Sequence, residues 1–216
     1  MTKKLLLSPW TKGLVFALCL LPAVNLGWHA WNQDLTANPI EYITHKTGDW
    51  TIRFVMITLA VTPLRMLLHQ PQLVRFRRML GLFAFFYAML HFTTWFCLDK
   101  FFDFQEMEKD ILKRPFITIG MAALLMLIPL AITSTNGWVR RLGYKRWQKL
   151  HRLIYLIGLA AVIHYYWLVK SDERVPLRFA AVVALLLGYR AIFYVFQRKE
   201  KAGTAKKNAR ESVLSA

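Results

Sequence analysis

The chain has 216 residues, 56% of them hydrophobic, and a mean hydropathy of +0.33. A soluble domain of this length buries a single core and has no use for several separate apolar runs of membrane length. The net charge of +17 would suit a nucleic-acid partner if it gathered on one folded surface, but it is distributed as in a membrane protein, which argues against that role.

A hydrocarbon core about 30 Å thick takes roughly 20 helical residues to cross. Six runs meet that length, near residues 13–31, 50–68, 79–98, 115–133, 150–169 and 176–197. They predict an all-α integral membrane protein, a six-transmembrane-helix bundle forming one domain over 13–197. A cytoplasmic segment 1–12 precedes it, and a basic tail over 198–216, expected to be disordered, follows it. Segments 1–12, 65–78, 140–152 and 190–216 share one side and hold 20 of the 29 basic residues, with only Glu200 and Glu211 as acids. The positive-inside rule then places both termini in the cytoplasm, and the same charge suits anionic lipid headgroups.

In chain order, the first span contains Pro22 and lacks a small-x-small cleavage site before Trp28 and Trp31, so it reads as an uncleaved helix. The outer loop 32–49 ends in a predicted turn at Thr47, Gly48 and Asp49 that caps the second span. Pro63 is expected to kink the last turn of that span. After the third span, "DKFFDFQEMEKDILKRP" reads as an acidic, aromatic outer loop with Pro115 starting the fourth. The fourth span stops at "TSTNGW", and the fifth ends outside at "YYWLVKSDERVP". Tryptophans and tyrosines at the span ends form an interfacial belt. Cys19 and Cys97 lie inside apolar spans and read as small packing residues, too few for a disulfide framework.

The chemistry rests on six histidines. His29, His45 and His69 fall at helix ends or in loops, where an imidazole is easily hydrated. His91 and His164 sit inside spans that both run outward. His91 lies 13 residues after Arg78, and His164 lies 13 residues after His151. Each interval is a rise of roughly 20 Å, which sets His91 and His164 at one depth in the outer half of the bilayer. Two neutral imidazoles facing each other there can supply both axial ligands of a haem iron. The rival reading is a transporter or proton channel relaying protons through the same histidines, and a scaffold for a soluble enzyme is the plainest reading. The scarcity of Asp and Glu inside the spans counts against proton relay. His151 faces Arg78 at its depth, which cannot ligate iron, and an ideal helix turns it about 140° from His164. It is left to pair with His69, to ligate singly or to contact an inner cofactor. Arg77 and Arg78 stand where a haem propionate, a flavin phosphate or a lipid phosphate would be paired, although topology alone also explains them. No Gly-rich phosphate loop, zinc cluster or nucleophile triad is present.

Four stretches carry a resemblance: "TGDWTIRFVMITLAVTPLR", "RFRRMLGLFAFFYAMLHFTTW", "TSTNGWVRRLGYKRWQKLHRLIYL" and "IHYYWLVK". Their sequences and spacing closely resemble the MsrQ (YedZ) family, the haem-binding membrane subunits of a bacterial methionine sulfoxide reductase system, in the ferric-reductase-like transmembrane group. The resemblance implies haem b, one or two per chain, bound by His91 and His164, with His151 as a further metal ligand. It also implies FMN. Electrons would come from the quinone pool or a cytosolic flavin reductase, and pass to a periplasmic molybdopterin subunit, MsrP, that repairs oxidised envelope proteins. Such a chain sits in the bacterial inner membrane and holds no sulfoxide-reducing site of its own. Arg78 departs from the wider ferric-reductase pattern, in which a second histidine stands at that depth. The outer stretch 99–114 is expected to form part of the contact for the periplasmic partner, with a purely solvated connection as the alternative.

Overall fold

A computed structural model describes residues 6–169 and 173–214, with side chains as far as 196. The expected basic tail therefore lies outside the described side chains, and its last two residues lie outside the described residues. Among the described residues every regular element is helical.

Helix α1 runs Pro9–Trp31, with Pro9 at the first helical position and the Ser8 hydroxyl accepting from the Trp10 amide. Most of its apolar side chains are exposed, as on a helix facing lipid. Its anchor to the bundle is Tyr87. The Ala23 amide donates to the Tyr87 hydroxyl (3.0 Å), which donates in turn to the Cys19 carbonyl (2.9 Å). The hydroxyl is thus inserted between two groups that an unbroken helix would join directly, next to Pro22.

Helix α2 runs Pro39–Leu67. It corrects the expected turn at Thr47, Gly48 and Asp49, because all three residues are helical and the outer connection is confined to 32–38. The start is set by Asn38 and Pro39 instead. The Asn38 carboxamide oxygen accepts from the Glu41 amide (3.3 Å), and its nitrogen donates to the Glu41 carboxylate (2.8 Å), a reciprocal cap. The Thr47 and Thr51 hydroxyls donate to the carbonyls of Ile43 and Thr47, so these polar side chains are satisfied within the helix. The helix continues through Pro63 to Leu67.

A 3₁₀ turn, Pro71–Leu73, leads into α3, Val74–Thr93, which passes into a π-helical turn over Thr94–Asp99. The outer stretch expected to be a loop contains α4, Phe104–Lys113. Asp103 caps it by accepting from the Gln105 and Glu106 amides (both 3.0 Å). Lys100, only 6% exposed, pairs with Asp110 (2.8 Å), Glu106 (3.0 Å) and Asp99 (3.7 Å) and holds the helix down. Phe101 and Phe102 take positive φ to turn the chain between them.

Helix α5, Pro115–Ile132, starts at Pro115 as its sequence indicates. Two short helices follow, α6 (Asn136–Leu142) and α7 (Tyr144–Leu150), separated by Gly143 at φ 76°. Helix α8 spans Leu153–Leu168 and α9 spans Arg174–Leu214. Among the described residues five helices are long and apolar enough to cross a membrane: 9–31, 39–67, 71–99, 115–132 and 174–196. Helix α8, where the sequence places a sixth span over 150–169, has 16 residues, about 24 Å of helix. The turn at His151 and Arg152 divides it from α7.

The strongest packing joins α2 to α3 and α5 to α8. Val55, Leu59, Ala84, Tyr87, Ile157 and Val183 form the most deeply buried part of the core. Phe54 stacks on Tyr87 (5.1 Å between ring centres) and on Phe83 (5.7 Å). Gly158 lets α8 approach α2, since a Cβ there would meet Leu59 Cδ1 at 3.2 Å. These contacts fix the relative position of the two helix pairs, and each pair contributes one intramembrane histidine.

Candidate functional site

His91 lies in the last turn of α3, just ahead of the π-helical turn, and His164 lies in the last turns of α8. Their ring centres are 6.1 Å apart and their planes 82° apart. The shared depth expected from the 13-residue intervals is present as a direct facing pair.

Both rings are held by the same device. His91 Nδ1 donates to the Thr44 carbonyl of α2 (2.9 Å), and His164 Nδ1 donates to the Phe116 carbonyl of α5 (2.6 Å). A carbonyl only accepts, so Nδ1 is the protonated nitrogen in each ring and Nε2 carries the lone pair. One helical turn beyond each carbonyl stands a glycine. A Cβ on Gly48 would lie 3.1 Å from His91 Cε1, and one on Gly120 would lie 2.7 Å from His164 Nδ1. Each glycine leaves room for an imidazole to lie against the helix and reach its carbonyl. A mid-helix glycine costs about 1 kcal/mol relative to alanine, and here the absent side chain has a visible use.

These residues fit a metal held between two imidazoles. Metal–nitrogen bonds of about 2 Å on opposite sides of one ion place the ring centres about 6 Å apart. Near-perpendicular planes are open to such a pair, since each ring can turn about its own metal–nitrogen bond. Hydrogen bonds from the outer nitrogen to carbonyls are the usual support of ligating histidines. Neither Gly48, Gly120 nor the two carbonyls is marked by residue type as a ligand, and the sequence reading does not reach them. The available signal is a glycine within the first turns of each of two apolar helices, Gly48 and Gly120, four residues after Thr44 and Phe116.

His151 stands elsewhere, at the junction of α7 and α8. The Thr133 hydroxyl donates to the Pro129 carbonyl (2.6 Å), so His151 Nε2 donates to the Thr133 oxygen (3.0 Å) and Nδ1 keeps the lone pair. This tautomer is the reverse of that in the outer pair. The His151 ring lies on Trp147 (4.1 Å between centres), and Trp147 Nε1 donates to the Thr133 carbonyl (2.8 Å). Arg78 lies over the same Trp147 and donates to Asn136 Oδ1 (2.6 Å), so Arg78 and His151 do share a level. Arg77, on the first turn of α3, is half-buried and makes no described contact with His151. His69 is exposed and makes no described contact with His151. His29 pairs with Asp34 (3.1 Å) and His45 with Glu41 (3.7 Å), away from His151. Among the described residues no three His, Cys, Asp or Glu side chains gather into a metal-binding group.

A bundle of apolar helices that brings two histidines to one level from separate helices defines a multi-pass membrane protein of the ferric-reductase-like class. Residues 47–162 match the family described as ferric reductase like transmembrane component. The chain is 53% identical over 200 residues to the protein-methionine-sulfoxide reductase heme-binding subunit MsrQ of Herminiimonas arsenicoxydans, covering 90% of this chain and 91% of that protein. It is 51% identical over 197 residues to the MsrQ subunit of Xanthomonas oryzae pv. oryzae (strain MAFF 311018), covering 88% and 90%. With the subunit of Polaromonas naphthalenivorans it shares 49% identity over 190 residues, covering 87% of each. The chain belongs to the MsrQ family of heme-binding subunits, and is a multi-pass protein of the bacterial inner membrane.

Proposed function

We propose that this chain is a haem b electron-transfer subunit in which His91 and His164 bind the iron through Nε2. The observation that carries the reading is the facing pair itself, 6.1 Å between ring centres, with both Nδ1 atoms already committed to carbonyls. Bound haem supplies a one-electron change at iron. The protein's part is to present two neutral nitrogens, to hold each ring by its carbonyl, and to surround the pair with apolar side chains that exclude water.

In this reading six helices cross the membrane, α8 among them, and both termini are cytoplasmic. The outer pair then lies on the periplasmic side, within reach of a soluble acceptor. The acceptor is a molybdopterin methionine sulfoxide reductase subunit, MsrP, docked over the outer stretch 99–114. The relatives' name supports a role in a methionine sulfoxide reductase system. Electrons enter on the basic inner side, from the quinone pool or a cytosolic flavin reductase. FMN and a second iron centre are assigned to that side, with His151, Arg77 and Arg78 as the residues beside them. For His151 to ligate through Nε2 it would have to exchange its bond to Thr133.

The test is a reduced-minus-oxidised visible spectrum of the purified full chain. A b-type spectrum that is lost in the His91→Ala, His164→Ala double variant supports the reading. An unchanged spectrum in that variant would remove the pair as ligands.

A further inference from the structure

The histidine pair also fixes how a macrocycle between the two rings would lie. His91 and His164 stand at one level on α3 and α8, so the line joining their rings crosses the bundle. A flat porphyrin held between them lies across that line, and its edges extend along the helices, one inward and one outward. At about 5.4 Å per turn, those edges come level with the residues three or four positions before and after each histidine. The edge of a haem is apolar except for its two propionates, and a carboxylate taken into apolar surroundings needs a hydrogen-bond donor.

Around His164 the donor at these positions is Trp167, which is 50% exposed. Around His91 the polar side chains are Tyr87, Thr94 and Trp95. The Tyr87 hydroxyl is committed to the Cys19 carbonyl, and the Thr94 hydroxyl to the Leu90 carbonyl (2.8 Å). Trp95 differs from both. Its Nε1 is buried and has no hydrogen-bond partner among the described residues. A buried indole N–H normally finds an acceptor, so this one calls for an explanation. Lys100, the buried cation beyond the same turn, is already paired with Asp110, Glu106 and Asp99.

The backbone changes form at the same place. The α-helical ladder gives way to the π-helical turn at Thr94, one residue before Trp95. That turn packs against α2, the helix whose Thr44 carbonyl holds His91. Single π-helical turns within longer helices recur at functional sites. Phe92 stands beside the indole, 6.0 Å between ring centres, and keeps the surroundings apolar.

We propose that Trp95 is a positioning residue for the porphyrin, its indole N–H donating to a propionate carboxylate at the outward edge of a haem held by His91 and His164. The inference rests on the haem reading of that pair. Two axial imidazoles leave a macrocycle free to turn about the line between them. A donor at one edge selects the orientation with propionates toward the outer surface and the apolar edge toward the buried Ala88.

The experiment compares haem with haem dimethyl ester, which keeps the iron and the macrocycle but caps both propionates. Each is titrated into the haem-stripped full chain in mild detergent, and binding is read from the visible spectrum. Trp95→Phe removes the N–H and keeps an aromatic ring. It should weaken haem binding about tenfold, the loss of a hydrogen bond to a charged group, and leave ester binding within about twofold of wild type. The low-spin ferric signal of bound haem should persist, because both histidines remain. Equal weakening of haem and ester would mark Trp95 as packing alone and overturn the proposal. Unchanged haem binding would overturn it too, while leaving the histidine pair as ligands. A wild type that binds neither porphyrin would overturn this proposal and the haem reading together. If Trp95→Phe does not accumulate, the isosteric benzothienylalanine at position 95, with sulfur in place of the N–H, is read in the same way.

Discussion

Gly120→Ala is the sharpest perturbation of the histidine pair that leaves both histidines in place. The added Cβ would stand 2.7 Å from His164 Nδ1, 2.8 Å from Cε1 and 3.4 Å from Cγ. Non-bonded heavy atoms settle about 3.5–4.0 Å apart, so the ring would have to retreat by about 1 Å. That carries the 2.6 Å bond to the Phe116 carbonyl beyond hydrogen-bonding range. Leaving a buried donor unsatisfied costs about 1–3 kcal/mol. Expressed as haem affinity that is about one to two powers of ten, with the ring also displaced from its partner. Helix propensity works in the opposite direction, since alanine favours the helix by about 1 kcal/mol over glycine. The variant should therefore keep its helicity while losing haem, a combination that general misfolding does not produce. Haem per chain and far-ultraviolet circular dichroism on the same sample measure both. Wild-type haem content in Gly120→Ala would refute the reasoning.

Gly48→Ala should be milder, because its Cβ would meet His91 at 3.1–3.2 Å and a shift of a few tenths of an ångström relieves it; haem content should fall less than in Gly120→Ala. Tyr87→Phe removes the hydroxyl between Ala23 and Cys19, and thermal melting should report a loss of about 1 kcal/mol. Lys100→Met leaves the buried Asp110 carboxylate with Arg114 alone (3.2 Å), at a cost of about 2 kcal/mol, and limited proteolysis within 104–113 should accelerate. Burial opposes the Lys100 ammonium, but its contacts with Asp110 and Glu106 and the field of Asp99 outweigh that, so its pKa is raised. The Lys100 contribution is then complete below about pH 10.4 and is lost only as pH rises through the raised value. A melting profile between pH 6 and 9 should show no loss from this lysine.

The parts of the fold set by bulk hydrophobicity were legible in the sequence. Apolar run length locates the five membrane-length helices, and prolines mark the starts of several, as at Pro115. Counting 13 residues from Arg78 and from His151 places His91 and His164 at one level, and their ring centres lie 6.1 Å apart. Local polar chemistry was harder to read. Thr47, Gly48 and Asp49 look like a turn, yet the Asn38 and Pro39 cap starts the helix earlier and the threonine hydroxyls turn back onto its carbonyls. The helix at 104–113 carries a local signal that its loop-like composition hides: Asp103, three residues before Glu106, is a helix-start pattern, and the Lys100–Asp110 pair then holds the helix down. Glycine in a helix reads as weakness until the ring that fills its space is known, so Gly48 reads as part of a turn and Gly120 carries no signal of its own.

The central claim, one iron held between His91 and His164, is tested most directly by low-temperature electron paramagnetic resonance of the oxidised full chain. Two imidazoles crossed at 82° predict a strongly anisotropic low-spin ferric signal. Either His91→Ala or His164→Ala should abolish it, by loss of haem or conversion to high spin. A low-spin signal that survives unchanged in both single variants would contradict the account.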